Sequence, residues 1–226
     1  MKHLGSASRR EARSARRGLC SMPASRSSAS RRPSRMSTRL WRAALILQAA
    51  VAGVAAAQAN PIAAAFNARI ATLHRNIAQA FDSIPESKFG YRPTPAQLTF
   101  GYIAQHLASD SYLFCSYFGA MKPTIDAKDT STPDSVKATW PKAELVSKLK
   151  ASFAFCDQAI AQVTDATLPD TVSWTYRGTE RKSPRVGMVL LHALDLADHY
   201  SQIANYMRLN GLLPPSALPK PGRGGN

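Results

Sequence analysis

The chain has 226 residues, of which 29 are Lys or Arg and 14 are Asp or Glu, a formal net charge of +15. Residues 1–59 hold 12 of the basic residues and one acid, so residues 60–226 carry 17 basic and 13 acidic groups. That near balance argues against a nucleic-acid-binding domain, and 45% hydrophobic residues exclude a wholly disordered chain.

Residues 1–35 are rich in Arg, Ser and Ala, have no apolar periodicity and read as a basic disordered segment. Met36-Ser-Thr-Arg-Leu-Trp-Arg42 follows, then an apolar run over 43–57, then Ala57-Gln58-Ala59 before Asn60-Pro61. A positive start, a short apolar centre and an A-x-A site are the marks of a secretory signal peptide, here 36–59. The run is shorter than the roughly 20 apolar residues of a membrane span, so no stable span is expected after cleavage. Met36 would itself begin a signal of ordinary length, so 1–35 is expected to be a mis-assigned start, the alternative being a basic tail that binds nucleic acid or anionic lipid. The mature chain expected from this reading runs from Asn60, is exported to the periplasm or beyond, and forms one domain over 60–218 with a flexible tail at 219–226.

Four helices are predicted in that domain. The first spans about 61–83, with Ile62, Phe66, Ile70, Leu73, Ile77 and Phe81 at helical spacing, and Pro85 ends it. The second spans about 96–118 after Thr94-Pro95, with Thr94 as N-cap and Pro95 as first helical residue; its apolar face includes Ile103, Leu107 and Leu113. Polar residues 120–139, with Pro123 and Pro133, read as a long loop. The third helix covers about 141–164, with Leu145, Leu149, Phe153, Cys156 and Ile160. Residues 168–184 read either as a short strand pair or as an ordered crossover loop. The fourth helix, about 185–209, stops before Gly211 and Pro214-Pro215. The expected fold is all-α, a four-helix bundle with a long crossover connection.

Cys115 and Cys156 form an even pair in an exported chain, a disulfide candidate adding roughly 2–4 kcal/mol; two buried free thiols are the alternative. Four histidines lie beyond residue 59: His74, His106, His192 and His199. His192, Asp195, His199 and Gln202 follow at steps of three, four and three and share one face of the fourth helix with Tyr206. Asp195 and His199 are one turn apart and suit one cation. His192 and His199 lie roughly 10 Å apart along the axis and do not. His106 on the second helix would complete three protein ligands, leaving positions open as catalytic metal sites do. A hydrogen-bonded interior role is the plainer reading of such residues. His74, beside Arg75, reads as a partly exposed helix residue.

Phe89-Gly-Tyr-Arg-Pro-Thr-Pro95, Leu98-Thr-Phe-Gly-Tyr-Ile-Ala-Gln-His106, Phe114-Cys-Ser116, Asp198-His-Tyr-Ser-Gln-Ile203, Tyr206-Met-Arg-Leu-Asn-Gly211 and Pro214-Pro215 together resemble the DinB-like (DNA-damage-inducible) family. The resemblance implies a four-helix bundle with a divalent cation (zinc, nickel, iron or manganese) held by three His. One His comes from the second helix and a His-x-x-x-His pair from the fourth. These positions fall on His106, Asp195 and His199, so one ligand is Asp in place of His. The family's Glu before the last His falls on Asp198, and its following Gly on Ser201. His192 could pair with Asp195 in a rearranged site. Characterised relatives include thiol transferases and a thiol-dependent isomerase. The resemblance therefore implies a metal-dependent hydrolase or thiol transferase acting on an unknown small molecule. Asp110 and Asp198 are the candidate base or orienting groups, with Gln202 and Tyr206 lining the cleft, and a homodimer is compatible. The alternative is a non-catalytic exported helical binding protein with a degenerate site.

Overall fold

The computed structural model describes residues 59–176 and 178–219. The basic segment 1–35, the expected signal peptide 36–59 except Ala59, and most of the expected tail lie outside the described residues. The elements run in the order α1 (Pro61–Ser83), a 3-10 turn (Glu86–Lys88), α2 (Phe100–Cys115), α3 (Ala127–Ser131), α4 (Asp134–Lys137), α5 (Lys142–Ile160), a 3-10 turn (Asp165–Thr167), β1 (Thr171–Tyr176), β2 (Thr179–Pro184), α6 (Arg185–Leu209) and a 3-10 turn (Pro215–Ala217). Among the described residues, no helix is long and apolar enough to cross a membrane.

Four long helices carry the architecture. α1 packs against α5 and α6, and α2 packs against the same two, so α1 lies diagonally from α2. The core they enclose includes Ile70, Ile77 and Phe81 of α1, Phe100, Ile103 and Leu107 of α2, Leu149 of α5, and Leu196 and Tyr206 of α6, all buried. Apolar side chains three and four apart on each helix fall on the enclosed stripe, which is why the period marked the helices. Two residues placed on those faces by spacing are exposed, Ile62 at 54% and Leu113 at 47%. Each lies near a helix end.

The boundaries differ from the sequence expectation at α2. Its N-cap is Thr99, whose side chain accepts from the Tyr102 N–H, and not Thr94. The Gln97 N–H bonds the Thr94 carbonyl in a turn of its own. The reason is tertiary: the Gly101 N–H donates to the Phe89 carbonyl and the Phe100 N–H to the Tyr91 carbonyl, so the preceding loop folds back over the helix start. Gly101 is needed there, because a Cβ on it would collide with the Ala138 carbonyl oxygen at the end of α4. Residues 120–139 are not a plain loop; α3 and α4 occupy much of the segment, and α4 packs on α2.

Residues 168–184 contain a hairpin, with β1 antiparallel to β2 and Trp174 opposite Arg181. Its base is tied to the rest of the chain: the Arg185 N–H donates to the Asp170 carbonyl and the Val186 N–H to the Leu168 carbonyl. α6 ends in a Schellman cap. The Leu212 N–H bonds the Met207 carbonyl, the Gly211 N–H bonds the Arg208 carbonyl, and Gly211 has φ +71°.

The two ends of α1 are capped from afar. Its first turn has no acidic residue, and Asn60 makes no side-chain cap. Asp165 accepts from the Ala63 N–H at 2.7 Å and the Ile62 N–H at 3.2 Å, and its own N–H donates to Asn60 Oδ1 at 3.0 Å. At the other end Lys142 Nζ donates to the carbonyls of Asp82 and Ile84. A carboxylate at the N-terminus and an ammonium at the C-terminus both oppose the helix dipole.

Candidate metal centre

α2 and α6 face each other where His106, Asp195 and His199 meet, and one ligand atom from each lies within 4.8 Å of the other two. Asp195 Oδ1 is 3.6 Å from His199 Nε2 and 4.0 Å from His106 Nε2. These separations are too long for good hydrogen bonds and suit groups arranged around a common centre. The imidazoles meet edge to face, with ring centroids 4.9 Å apart. The step of four on α6 aligns Asp195 and His199, and α2 brings His106 to them.

The surroundings fix the rings. His199 Nδ1 lies 3.2 Å from Gln202 Oε1, so Nδ1–H donates to the amide oxygen and Nε2 keeps its lone pair for the centre. Asp110 Oδ2 is 3.5 Å from His106 Nε2. Asp195 Oδ2 is buried and makes no hydrogen bond. Burial pushes the Asp110 carboxyl up to about 6, against the lowering effect of His199. Burial likewise raises Asp195, and burial together with the neighbouring His199 lowers His106. All three shifts favour the neutral form, as expected of polar groups gathered in a poorly solvated cleft.

Two imidazoles, a carboxylate with an orphaned buried oxygen and an adjacent acid form a donor set that a divalent cation fits. The Asp195 carboxylate would supply the one charge among the three ligands.

The other residues singled out from sequence fall as follows. Gln202 and Tyr206 border a cavity of about 340 Å³ together with Asp198. Asp198 is exposed and stands outside the His106–Asp195–His199 group. Tyr206 is 2% exposed and packs edge-on against Phe100. His192 does not pair with Asp195. It is fully buried at another level of the bundle, with Nε2 3.3 Å from Cys156 Sγ. His74 is not partly exposed: it is 3% exposed and stacks on Phe153 with centroids 4.1 Å apart, because α1 turns this position onto α5. Cys115 and Cys156 are joined in a disulfide between α2 and α5.

A second cavity, of about 350 Å³, was not foreseen. It lies between α2, the α3–α4 segment and α5, and is bordered by Gln105, Tyr112, Asp129, Asp134 and Trp140. The Gln105 amide is buried with neither its oxygen nor its nitrogen bonded. The charge of Asp134 is felt at both His106 and Asp110, which places this cavity beside the centre. Nothing in the polar run 120–139 signalled that it would form such a wall.

Comparison with known proteins adds the family. A search of curated proteins finds no significant match. Among solved structures, the chain is similar to a conserved protein from Enterococcus faecalis (16% identity, TM-score 0.49, over 65% of this chain and 95% of that one). It is also similar to a DinB-like protein from Bacillus cereus (17%, 0.48, over 63% and 89%). A third is the mycothiol-dependent maleylpyruvate isomerase (14%, 0.48, over 61% and 58%), of which the chain spans less than two thirds. The DinB superfamily profile matches residues 69–203, more than half of the chain and all three residues of the centre, and the chain belongs to that superfamily.

Proposed function

We propose that this chain is an exported DinB-type four-helix-bundle protein that binds a divalent cation between His106, Asp195 and His199 and acts on a small molecule in the adjoining cleft, as a hydrolase or a thiol transferase. The observation that carries the reading is the convergence of these three side chains on one point, with a buried Asp195 oxygen left unbonded. A cation bound there supplies Lewis acidity toward a substrate oxygen or thiol. Gln202 holds the His199 ring in the tautomer that leaves Nε2 available. Asp110, at 3.5 Å from His106 Nε2, would hold or pass a proton beside that ring. The 340 Å³ cavity bordered by Gln202 and the 350 Å³ cavity bordered by Gln105 are both of a size for a small ligand. Export rests on the signal-peptide pattern at 36–59, and the Cys115–Cys156 disulfide agrees with an oxidising compartment.

Elemental analysis of chain purified without chelator, alongside His199→Ala, tests the reading. About one equivalent of a divalent transition metal, lost in the variant, is expected. A second reading is favoured by one observation, the Asp at position 195 where the family pattern has His: a non-catalytic binding protein with a degenerate site. A folded protein that carries no metal and takes none up when ions are offered would select it.

A further inference from the structure

The bundle contains a second group of metal-type ligands, away from the centre just described. His74, Cys156 and His192 are all buried, with one ligand atom from each within 4.8 Å of the other two. Cys115, bonded to Cys156, places a second sulfur at the same point. The His74 imidazole is set as a ligand is set. His74 Nδ1 lies 2.8 Å from Asp157 Oδ1, so Nδ1–H donates to that carboxylate and Nε2 bears the lone pair. His74 Nε2 is buried and has no partner. A carboxylate behind the far nitrogen is how proteins orient a histidine toward a metal. His192 Nε2 already stands 3.3 Å from Cys156 Sγ, near the roughly 3.6 Å that separates nitrogen and sulfur ligands around a tetrahedral zinc ion.

We propose that in the reduced protein Cys115, Cys156, His74 and His192 together hold one zinc ion, and that the disulfide is the metal-free form of the same site. Two thiolates and two neutral imidazoles around Zn²⁺ make an assembly with no net charge, which a dry interior accepts at far lower cost than a bare cation. The interconversion balances. A dithiol reductant gives two electrons and two protons to the Cys115–Cys156 bond, producing two thiols and one external disulfide. Zinc then displaces the two protons. In reverse, an external disulfide takes two electrons from the thiolates, the S–S bond forms and Zn²⁺ leaves unchanged in oxidation state. The four ligands come from all four long helices, so either form ties the bundle together, by a covalent bond in an oxidising compartment or by a closed metal site in a reducing one.

Cobalt(II) titration of the full chain, before and after anaerobic reduction with a phosphine, tests this. Thiolate-to-cobalt charge-transfer absorption is expected only after reduction. It should saturate with one equivalent beyond what the oxidised chain takes up, be displaced by zinc, persist in His199→Ala and vanish in Cys115→Ser. In His74→Phe and His192→Phe the intensity should fall and the apparent affinity weaken at least tenfold. Reduced wild-type chain that keeps its far-UV circular dichroism and shows no charge-transfer absorption overturns the proposal. So do unchanged spectra and affinity in both histidine variants, which would assign the bands to the thiols alone. Should reduction lower the helical signal, zinc is expected to restore it, and failure to do so also overturns the proposal.

Discussion

Gln202 Oε1 stands 3.2 Å from His199 Nδ1, one turn further along α6 and on the far side of the ring from Asp195. The amide therefore sets the tautomer of a residue in the centre without being near the ion position itself. Replacing Gln202 with Leu keeps the helix and the bulk but removes the acceptor. Metal affinity is expected to fall about 10–100-fold while thermal stability without metal changes little. Competitive chelator titration of wild type and variant measures it; equal affinities would show that the ring needs no such support.

A buried and a half-buried group oppose each other in their response to acid. Burial and the neighbouring His74 hold His192 down to about 3, and burial pushes Asp110 up to about 6. The His192 contribution is complete above the ordinary histidine value near 6.5 and is lost as pH falls toward 3, at up to about 1.4 kcal/mol per pH unit. The Asp110 contribution has the opposite sign: it is complete below the ordinary carboxyl value near 3.9 and is lost as pH rises through 6. In metal-free protein the two nearly cancel between about pH 4 and 6. Asp110→Asn retains the neutral shape and removes the opposing contribution. Its stability, relative to wild type, is expected to drop by about 2 kcal/mol on going from pH 6 to pH 4. Denaturant melts across that range, with chelator present, measure the difference, and parallel profiles would refute it.

A methyl group at position 101 has nowhere to go, since the Ala138 carbonyl fills its place. Gly101→Ala should gain helix propensity yet lose about 1–3 kcal/mol through the forced movement of α4. Gly90→Ala, which meets nothing within 4 Å, is the control and should shift the denaturation midpoint far less.

The disulfide closes a loop with a sequence separation of 41 that contains α3, α4 and most of α5. A loop of that length corresponds to about 4 kcal/mol of lost denatured-state entropy. Urea denaturation of oxidised and reduced protein, both with chelator so that no ion compensates, should differ by about that amount.

Much of the bundle was legible because apolar residues three and four apart leave a mark that needs no partner to be read. The α6 pair Asp195 and His199 was legible from its step of four, and His106 as the residue of the second helix that would complete three ligands, a set the family resemblance then singled out. What depended on contacts distant in sequence was not legible. The displaced start of α2 is set by Phe89 and Tyr91 folding back, which no local signal reveals. His74 looked exposed beside Arg75, yet Phe153 and Asp157 of α5 cover it. His192 shares a helix face with Asp195 but sits a turn away along the axis, among different neighbours. The wall that α3 and α4 give the second cavity came from a segment whose polarity read as loop.

Because Asp165 accepts from both Ile62 and Ala63 while donating to Asn60, the opening turn of α1 cannot fray independently. Asp165 belongs to the 3-10 turn that also anchors the hairpin base through the Leu168 carbonyl and the Thr167 carbonyl on Arg185. These segments therefore form one unit of local unfolding. In hydrogen exchange, the amides of Ile62 and Ala63 should be released together with those of Arg185 and Val186, so that the beginning of the folded domain and the start of its last helix report one opening event.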